Sequence, residues 1–323
     1  MPLLEVNDLQ VRYPVGRRRW ITAVDGVSLT VAAGESVGLV GESGCGKSTL
    51  GNAILRLTPI SGGGVRFDGR STADLRGRAL QSFRRRVQMV FQDPYGSLNP
   101  RLTIGAALEE VLAVHRLGNR AARMVRVAEL LRQTGLDPDY ARRYPHELSG
   151  GQRQRVGIAR ALALNPVLII ADEPVSALDV SVQAQILRLM RDLQRAAGLA
   201  WLFIAHDLAV VNYMCQRVYV MYFGRIMESG PANDIFNHPA HPYTKALLAA
   251  VPTLDAAAGG KYLQSRVLHG ETPAAGSAIA GCPFHPRCAH ARDVCRAQIP
   301  PLTEEAPGRW CRCHLTSDVK VAI

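Results

Sequence analysis

The residues Gly41-Glu42-Ser43-Gly44-Cys45-Gly46-Lys47-Ser48 fit the pattern G-x-x-x-x-G-K-S/T, from which the fold can be predicted. Glycines at this spacing let successive backbone N–H groups turn inward around an anion, and a following helix adds its positive N-terminal end. In such a loop Lys47 reaches the β- and γ-phosphates of a nucleotide, and the Ser48 hydroxyl binds Mg²⁺. The loop therefore predicts a nucleotide-phosphate site.

The residues on either side predict that the loop joins a buried strand to a helix. Ser36–Val40 is a short, mostly apolar run that leads straight into the loop. Beyond Thr49, apolar residues recur as expected for a helix, at Leu50, Ile54, Leu55 and Leu57. Residues 1–40 contain short runs that alternate apolar and polar residues, which is typical of an antiparallel sheet. Cys45 is expected to be a small filler of the loop rather than a redox-active thiol.

Two further strands are predicted downstream, with a helix between them. The buried strands are expected at residues 167–171 and 199–205, and Gly198 should end the helix. The helix is indicated by apolar residues on one face, namely Val182, Ile186, Leu189, Leu193 and Ala197. A strand, a helix and a strand at this spacing form a βαβ unit with a parallel sheet.

A helical region is predicted between the loop and this unit, from Thr103 to about Gly135. Its apolar stripes are expected to be Ile104, Leu108, Val111 and Leu112, and then Val125, Leu130 and Leu131. We therefore expect a helical subdomain of about residues 93–164, inserted into the α/β core.

An acidic pair, Asp172 and Glu173, follows the first of the downstream strands. An Asp at the carboxyl end of a central strand lies where open α/β sheets bind ligands, and it suits Mg²⁺ opposite Ser48. Glu173 is suited to polarise a water that attacks the γ-phosphate. Such a pair is often an ordinary strand end, but its combination with the phosphate loop favours the functional interpretation.

A second candidate anion site is Leu148-Ser149-Gly150-Gly151-Gln152, which opens another predicted helix. Ser149 is a good N-cap, and the two glycines expose backbone amides at a helix N-terminus. A plain helix cap would explain the same residues.

These motifs together resemble the nucleotide-binding subunit of an ABC transporter. In chain order they match the Walker A loop (41–48), the Q-loop (Gln92), the signature (148–152), Walker B (168–173), the D-loop (176–179) and the H-loop (His206). The resemblance implies an α/β fold, a P-loop NTPase with a RecA-like core. It also implies an N-terminal antiparallel β-subdomain, a helical signature subdomain and a small C-terminal extension that carries cysteines.

The resemblance also implies a role for each matched residue. Tyr13, or less closely Trp20, would stack on adenine. ATP would be bound by Gly41, Glu42, Ser43, Gly44, Cys45, Gly46, Lys47, Ser48 and Thr49. The Mg²⁺ ligands would be Ser48, Gln92 and Asp172. The catalytic residues would be Glu173 as the base, His206 on the γ-phosphate, Lys47, and Gln92, which would also sense the transmembrane partner.

The signature residues would serve the nucleotide of an opposite subunit. These residues are Ser149, Gly150, Gly151 and Gln152, and Asp179 of the D-loop accompanies them. Two chains would then enclose two ATP molecules head to tail. Neither site would be complete in a monomer.

A narrower resemblance is to the oligopeptide/dipeptide (and nickel) importer branch. It is carried by the stretches Phe91-Gln92-Asp93-Pro94-Tyr95-Gly96-Ser97-Leu98-Asn99-Pro100 and His238-Pro239-Ala240-His241-Pro242-Tyr243-Thr244-Lys245-Ala246-Leu247-Leu248. It implies a nucleotide-binding domain over 1–250 and a branch-specific extension over 236–323. The opening Trp20-Ile21-Thr22-Ala23-Val24-Asp25 is more similar to the F-type than to the D-type ATPase of such importers.

The implied partners are a second ABC ATPase, a D-type paralogue in a heterodimer, and two transmembrane permease subunits. An extracytoplasmic substrate-binding protein would act indirectly, and no nucleic acid is expected. The chain would lie peripherally on the cytoplasmic face of the membrane. The cargo is left open among dipeptides, oligopeptides, nickel and glutathione-like ligands.

The C-terminal cysteines form a separate candidate site. Five of the seven cysteines lie near the end, at Cys282, Cys288, Cys295, Cys311 and Cys313, beyond an Ala-, Gly- and Pro-rich linker predicted at 252–281. In a cytosolic chain such a group favours a metal over disulfides. The spacing alone does not choose among an iron–sulfur cluster, zinc and no metal.

The resemblance narrows that choice, because the importer branch has a matching cysteine set that can hold a four-iron, four-sulfur cluster. Aligned on the Cys-His ending, Cys282, Cys288, Cys295 and Cys313 are the implied ligands, with Cys311 as a substitute for Cys313.

Bulk composition limits the alternatives. The chain has 323 residues, 47% hydrophobic and 20% charged, as in globular proteins. Its apolar runs fall far short of the ~20 residues of a membrane-spanning helix, and its N-terminus does not resemble a signal peptide. The net charge of +11 is the one feature that favours a rival, a soluble ABC ATPase acting on nucleic acid or ribosomes. A third interpretation, a nucleotide-binding switch, requires Glu173 to be dispensable.

Overall fold

The computed structural model describes residues 1–16, 19–93, 96–250, 277 and 279–317. The chain forms two compact units. The first unit consists of Met1–Val31, Ser36–Ala73 and Ile204–Ile323, and the second of Ala32–Glu35 and Asp74–Phe203. Most of the linker predicted at 252–281, and Pro94 and Tyr95 of the branch motif, lie outside the described residues.

The described residues form twelve strands, eleven α-helices and three short 3-10 helices. The strands are β1 (Leu4–Val15), β2 (Arg19–Val31), β3 (Ser36–Val40), β4 (Gly62–Phe67), β5 (Arg70–Ser71), β6 (Val87–Val90), β7 (Leu168–Asp172), β8 (Ala200–Ala205), β9 (Arg217–Tyr222), β10 (Arg225–Pro231), β11 (Thr303–Ala306) and β12 (Arg309–Cys311). The helices are α1 (Lys47–Ile54), α2 (Gly77–Arg86), α3 (Ile104–Val114), α4 (Arg120–Gln133), α5 (Gly150–Leu162), α6 (Val180–Ala197), α7 (Leu208–Met214), α8 (Ala232–Asn237), α9 (Pro242–Ala249), α10 (Asp293–Ala297) and α11 (His314–Ser317).

The first unit contains an antiparallel sheet with the strand order β2-β1-β4-β5. Strands β1 and β2 pair from Leu4 opposite Val31 to Val15 opposite Arg19. Apolar side chains on one face of β1 are fully buried, whereas residues beside them are exposed, as alternation along a half-buried strand requires. The predicted N-terminal antiparallel sheet is confirmed.

A second group of strands in this unit has the order β11-β12-β10-β9-β3. β3 is parallel to β9, and all five of its residues are buried. The phosphate loop leaves the end of β3 and enters α1, which begins at Lys47 rather than beyond Thr49. Leu57 lies past the end of α1 and is 51% exposed, so its assignment to the apolar face of that helix is wrong.

The C-terminal region adds strands to this group, which the sequence did not predict. β12 pairs antiparallel with β10 at Trp310 opposite Ser229, and β11 pairs with β12. β11 has the sequence Thr-Glu-Glu-Ala, a polar run without the apolar residues that mark a strand.

In the second unit, β8, β7 and β6 are neighbours in that order, and residues 204 and 205 of β8 belong to the first unit. β6 and β7 are parallel, with Val87 opposite Leu168. All residues of β7 and β8 are buried, as expected for strands of a parallel sheet that is covered on both faces.

The helices of the second unit confirm part of the predicted apolar stripes. Ile104, Leu108 and Leu112 of α3 are buried, as are Leu130 and Leu131 of α4. Val125 was predicted to be in the second stripe but is 61% exposed, and Val127 takes the buried position.

The stripe predicted for α6 is rotated in the structure. Its buried residues are Ile186, Leu187, Met190 and Gln194, whereas Ala197 is exposed. Gln194 is buried because its side-chain amide donates to the carbonyl of Gly34 at 2.9 Å. Pattern analysis assigns a polar residue to the outer face and therefore misses such a position.

Within the described part of the chain, no helix combines the length and the apolar character that crossing a membrane requires.

Two glycines, Gly198 and Gly157, allow a test of where α6 ends. Gly198 ends α6 with φ 61° in the left-handed region, and a Cβ built there meets no atom within 4 Å. Gly198→Ala is therefore expected to lower the free energy of unfolding by about 1 kcal/mol through backbone strain alone. Gly157→Ala, inside α5 and equally open, should instead raise it by ~0.5–1 kcal/mol. Denaturant unfolding of the two variants measures both signs, and equal effects would contradict the assignment of the α6 end.

Candidate nucleotide-binding site

Glycines shape the phosphate loop, because another residue would be strained at Gly44 and would also clash at Gly41 or Gly46. Gly44 and Gly46 have φ of 77° and 107°, in the left-handed region. A Cβ on Gly46 would lie 2.1 Å from the carbonyl oxygen of Ala23 in β2, and one on Gly41 would lie 2.1 Å from that of Met221 in β9. The loop is thus pressed against two strands of its own unit.

Lys47 is folded back onto the loop. Its side chain is almost fully buried, and its Nζ donates to the carbonyl oxygens of Gly41 at 2.8 Å and Glu42 at 2.9 Å. The ammonium group therefore lies among backbone groups of the loop, where a phosphate oxygen could replace the carbonyls as its partner.

Cys45 behaves as the sequence analysis expected. Its side chain is buried, and its Sγ lies 3.8 Å from the Lys47 Nζ. Burial raises the pKa of the Cys45 thiol and outweighs the nearby lysine charge, so the group stays neutral. A neutral, buried thiol is a filler rather than a reactive site.

The remaining predicted ATP-binding residues of the first unit are accessible. Ser48 and Thr49 are half-buried in the first turn of α1, and Ser43 is exposed. Tyr13 on β1 and Trp20 on β2 belong to one hairpin and are 38% and 64% exposed. Either ring has a surface on which a base could stack.

The C-terminal region contacts the loop, and the sequence analysis missed this contact. The backbone N–H of Glu42 donates to the Tyr243 hydroxyl at 2.9 Å, and Arg287 donates to the Glu42 carboxylate at 2.6 Å. Arg287 lies 245 residues away in sequence, so no local pattern could have indicated the pair.

In the second unit, the predicted base and the Q-loop residue lie together. Gln92 donates from its side-chain amide to Glu173 Oε2 at 2.9 Å. Asp172 is the last residue of β7 and is 6% exposed. Glu173 follows with φ 46°, a strained conformation for a residue other than glycine, of the kind found at functional sites.

The signature residues form a complete helix N-cap. Ser149 Oγ accepts from the backbone N–H of Gln152 at 3.3 Å, and the Gln152 side chain accepts from the Ser149 N–H at 2.9 Å. Because Ser149 Oγ is an acceptor here, its own proton can be donated to an anion outside the helix. A Cβ on Gly151 would lie 2.5 Å from Val182, so a glycine is needed there.

The last two predicted residues lie at exposed ends of elements. Asp179 is the N-cap of α6 by backbone position, without a side-chain capping bond. His206 is exposed directly after β8, and its neighbour Asp207 caps α7 by accepting from Ala209 N at 2.7 Å. Tyr13, residues 41–49 and His206 thus belong to the first unit, and the other nucleotide-site residues to the second.

Four C-terminal thiols border one small cavity. Its lining includes Cys282, Cys288, Cys295 and Cys313, but not Cys311. Burial, and then the neighbouring thiols, raise the pKa of Cys282 to about 11, so it is protonated at neutral pH. Cys311 is fully buried in β12, where burial and then Glu228 raise its pKa. In the part of the chain that the structure describes, no three His, Cys, Asp or Glu side chains are grouped closely enough for one metal ion.

Comparisons with known proteins agree with these motifs. The ABC transporter family model matches residues 24–176, and the model of the oligopeptide/dipeptide transporter C-terminal region matches residues 227–295. The chain is 48% identical to the putative oligopeptide transport ATP-binding protein YkfD of Bacillus subtilis (strain 168), over 98% of this chain and 96% of YkfD. It is 50% identical to the probable peptide ABC transporter ATP-binding protein y4tS of Sinorhizobium fredii (strain NBRC 101917 / NGR234), over 99% of this chain and 92% of y4tS.

Solved structures lead to the same family. The dimeric structure of MJ0796, a bacterial ABC transporter cassette, is 33% identical with a TM-score of 0.65, and the match covers 71% of this chain and 98% of that cassette. The predicted P-loop NTPase fold is confirmed. The chain belongs to the ABC transporter family, among the ATP-binding proteins that carry the oligopeptide/dipeptide transporter C-terminal region.

Proposed function

We propose that the chain is the ATP-hydrolysing subunit that powers the import of di- or oligopeptides through a membrane transporter. The observation that carries this proposal is the match over nearly the whole chain to ATP-binding proteins of peptide transporters, including their C-terminal region. The net charge of +11 is the only observation that favours the rival that acts on nucleic acid, whereas the relatives matched over nearly the whole chain are transport proteins.

In this proposal the first unit holds the triphosphate. Lys47 exchanges its two carbonyl partners for β- and γ-phosphate oxygens, and the backbone N–H groups of the loop surround the same anion. Tyr13 stacks on adenine, with Trp20 as the alternative. His206, exposed at the end of β8, contacts the γ-phosphate.

Magnesium fits the oxygen groups that these motifs provide. The Ser48 hydroxyl and the Asp172 carboxylate are hard oxygen ligands of the kind that Mg²⁺ prefers, and Gln92 adds an amide oxygen. The ion, when bound, neutralises charge on the phosphates.

Glu173 is the proposed general base. Its carboxylate accepts the hydrogen bond from Gln92 and would take a proton from the attacking water. Gln92 is also the residue that we propose senses the permease, so its hydrogen bond would let movement at the membrane partner reorient the Glu173 carboxylate. The strained backbone at Glu173 fits a side chain that must be held in one direction.

Ser149, Gly150, Gly151 and Gln152 are proposed to complete the ATP site of a second ATPase subunit, a D-type paralogue, with Asp179 nearby. The N-terminus of α5 offers backbone amides and the Ser149 proton to a phosphate. The two ATPases would work with two permease subunits and an extracytoplasmic binding protein, on the cytoplasmic face of the membrane. The proposed domain limits remain 1–250, with the helical subdomain at about 93–164, and 236–323.

We also propose that Cys282, Cys288, Cys295 and Cys313 hold a four-iron, four-sulfur cluster. Four thiols around one cavity match the donor set of such a cluster. A single zinc ion needs its four sulfurs within ~2.3 Å of one point, whereas a cluster spreads them over four irons. Zinc is the alternative occupant, and metal analysis of the purified protein distinguishes the two.

The first prediction concerns the base. Glu173→Gln should bind ATP but lower its hydrolysis at least ~100-fold, because general base catalysis is lost, and ATP-bound dimers should accumulate. In vesicles with the permeases and the partner ATPase, uptake of labelled di- and oligopeptides should stop. Glu129→Gln, at an exposed position of α4, is the matched control. Normal ATP hydrolysis by Glu173→Gln would refute its role as the general base. Transport that does not depend on peptides would refute di- and oligopeptides as the cargo.

The second prediction concerns the signature. Ser149→Arg should leave nucleotide binding by the isolated chain unchanged, because Ser149 serves the opposite site. In the assembled ATPase pair it should abolish hydrolysis at the partner's phosphate loop, since the arginine blocks the α5 N-terminus. Loss of nucleotide binding in the isolated chain would contradict a role in trans.

The third prediction distinguishes two neighbouring cysteines. Purified without oxygen, the chain should be brown and contain iron and sulfide. Cys313→Ser should lose most of the iron, whereas Cys311→Ser should retain it, because only Cys313 borders the cavity. Iron and zinc analysis checks both variants, and a colourless protein with bound zinc would rule out the cluster.

A further inference from the structure

Residues of the C-terminal region support one position of the phosphate loop, Glu42. The Tyr243 hydroxyl accepts the Glu42 backbone N–H at 2.9 Å, and Arg287 Nη1 donates to Glu42 Oε2 at 2.6 Å. The two side chains of the ion pair are only 6% and 16% exposed. Glu42 is therefore held at both its backbone and its carboxylate by residues that follow the loop by some 200 positions or more.

An aromatic cluster fixes the direction from which Arg287 approaches. The rings of Tyr222, Tyr243 and Phe284 lie 4.6 to 5.4 Å apart between centroids, and all three are buried. Phe284 immediately precedes the short 3-10 turn His285–Arg287. The ring thus anchors the turn that carries the guanidinium, and Tyr222 lies within 3.5 Å of Arg287.

Arg287 places a positive charge beside the Glu42 carboxylate. The carboxylate belongs to a loop whose backbone and lysine attract a polyphosphate, so an uncompensated negative charge there would repel the ligand. Arg287 Nη1 lies 2.6 Å from the Glu42 carboxylate, and a guanidinium is always charged in a folded protein. Little water reaches the pair, so solvent screens the two charges only weakly.

We propose that Arg287 is a positioning residue of the ATP site: it neutralises Glu42 and holds the phosphate loop in its binding shape. Arg287 does not act on the reacting atoms. It acts through Glu42, whose backbone carbonyl also holds Lys47 at 2.9 Å. The inference rests on the proposed function in one respect, that the loop binds ATP.

The test compares nucleotides that differ in charge. Full-length wild type and Arg287→Gln are titrated with ATP, ADP and adenosine by calorimetry or with fluorescent analogues. The affinity of Arg287→Gln should fall at least about tenfold for ATP, less for ADP and hardly for adenosine, because repulsion grows with phosphate charge. In ATP hydrolysis measured over a range of ATP concentrations, the KM for ATP should rise while kcat changes little. Arg287→Lys should recover part of the affinity, because it restores the charge without the guanidinium geometry.

Two controls separate this role from a general structural one. In a Glu42→Gln background, Arg287→Gln should change ATP affinity less than about threefold, since no carboxylate remains to be neutralised. Arg309→Gln removes another C-terminal arginine that pairs with a buried glutamate, Glu228 at 3.3 Å, but does not touch the loop. Arg309→Gln should change the melting temperature, but it should not lower the affinity for ATP more than the affinity for ADP.

The outcomes are distinct. If wild type does not bind ATP, the proposed function fails and this inference fails with it. If wild type binds ATP but Arg287→Gln lowers the affinity for ATP, ADP and adenosine equally, or lowers none of them, the positioning role is wrong. If the loss persists in the Glu42→Gln background, Arg287 does not act through Glu42.

Discussion

Close contact between backbone and backbone beneath the phosphate loop determines the shape of this loop. Gly41 and Gly46 leave no room for a Cβ against the carbonyls of Met221 and Ala23. Because the loop lies directly on β2 and β9, its N–H groups are fixed before any ligand arrives. A site prepared in this way loses little conformational entropy on binding, and a methyl group at either glycine would displace the whole loop.

The order of motifs in the sequence was enough to predict the fold and family, since each motif is local. Glycines with a lysine, an acidic pair after a buried strand and a serine cap can all be recognised within ten residues. The apolar face of a helix was predicted less well, as Val125 and Ala197 show, because partners distant in sequence decide which side is covered. Gln194 is buried because its side chain donates a hydrogen bond to the carbonyl of Gly34, which is 160 residues away in sequence and cannot be found from a helical pattern.

The candidate site was predictable in its residue types but not in its pairing. Gln92 and Glu173 were both predicted as site residues, but the hydrogen bond between them depends on the parallel register of β6 and β7. The choice between Cys311 and Cys313 could not be made from spacing. In the structure, β12 directs Cys311 into the interior near Glu228, whereas Cys313 lies beyond the strand and borders the cavity.

Glu42 and Arg287 are far apart in sequence, so their ion pair can form only late in translation. A chain emerges from the ribosome N-terminus first, at ~5–20 residues per second, so the 245 residues between the pair require roughly 10 to 50 s of translation. During that interval the ion pair between Glu42 and Arg287 cannot form. Synthesis itself would thus delay ATP capture until the cysteine-bearing end is made, and a prematurely terminated chain would compete poorly for nucleotide.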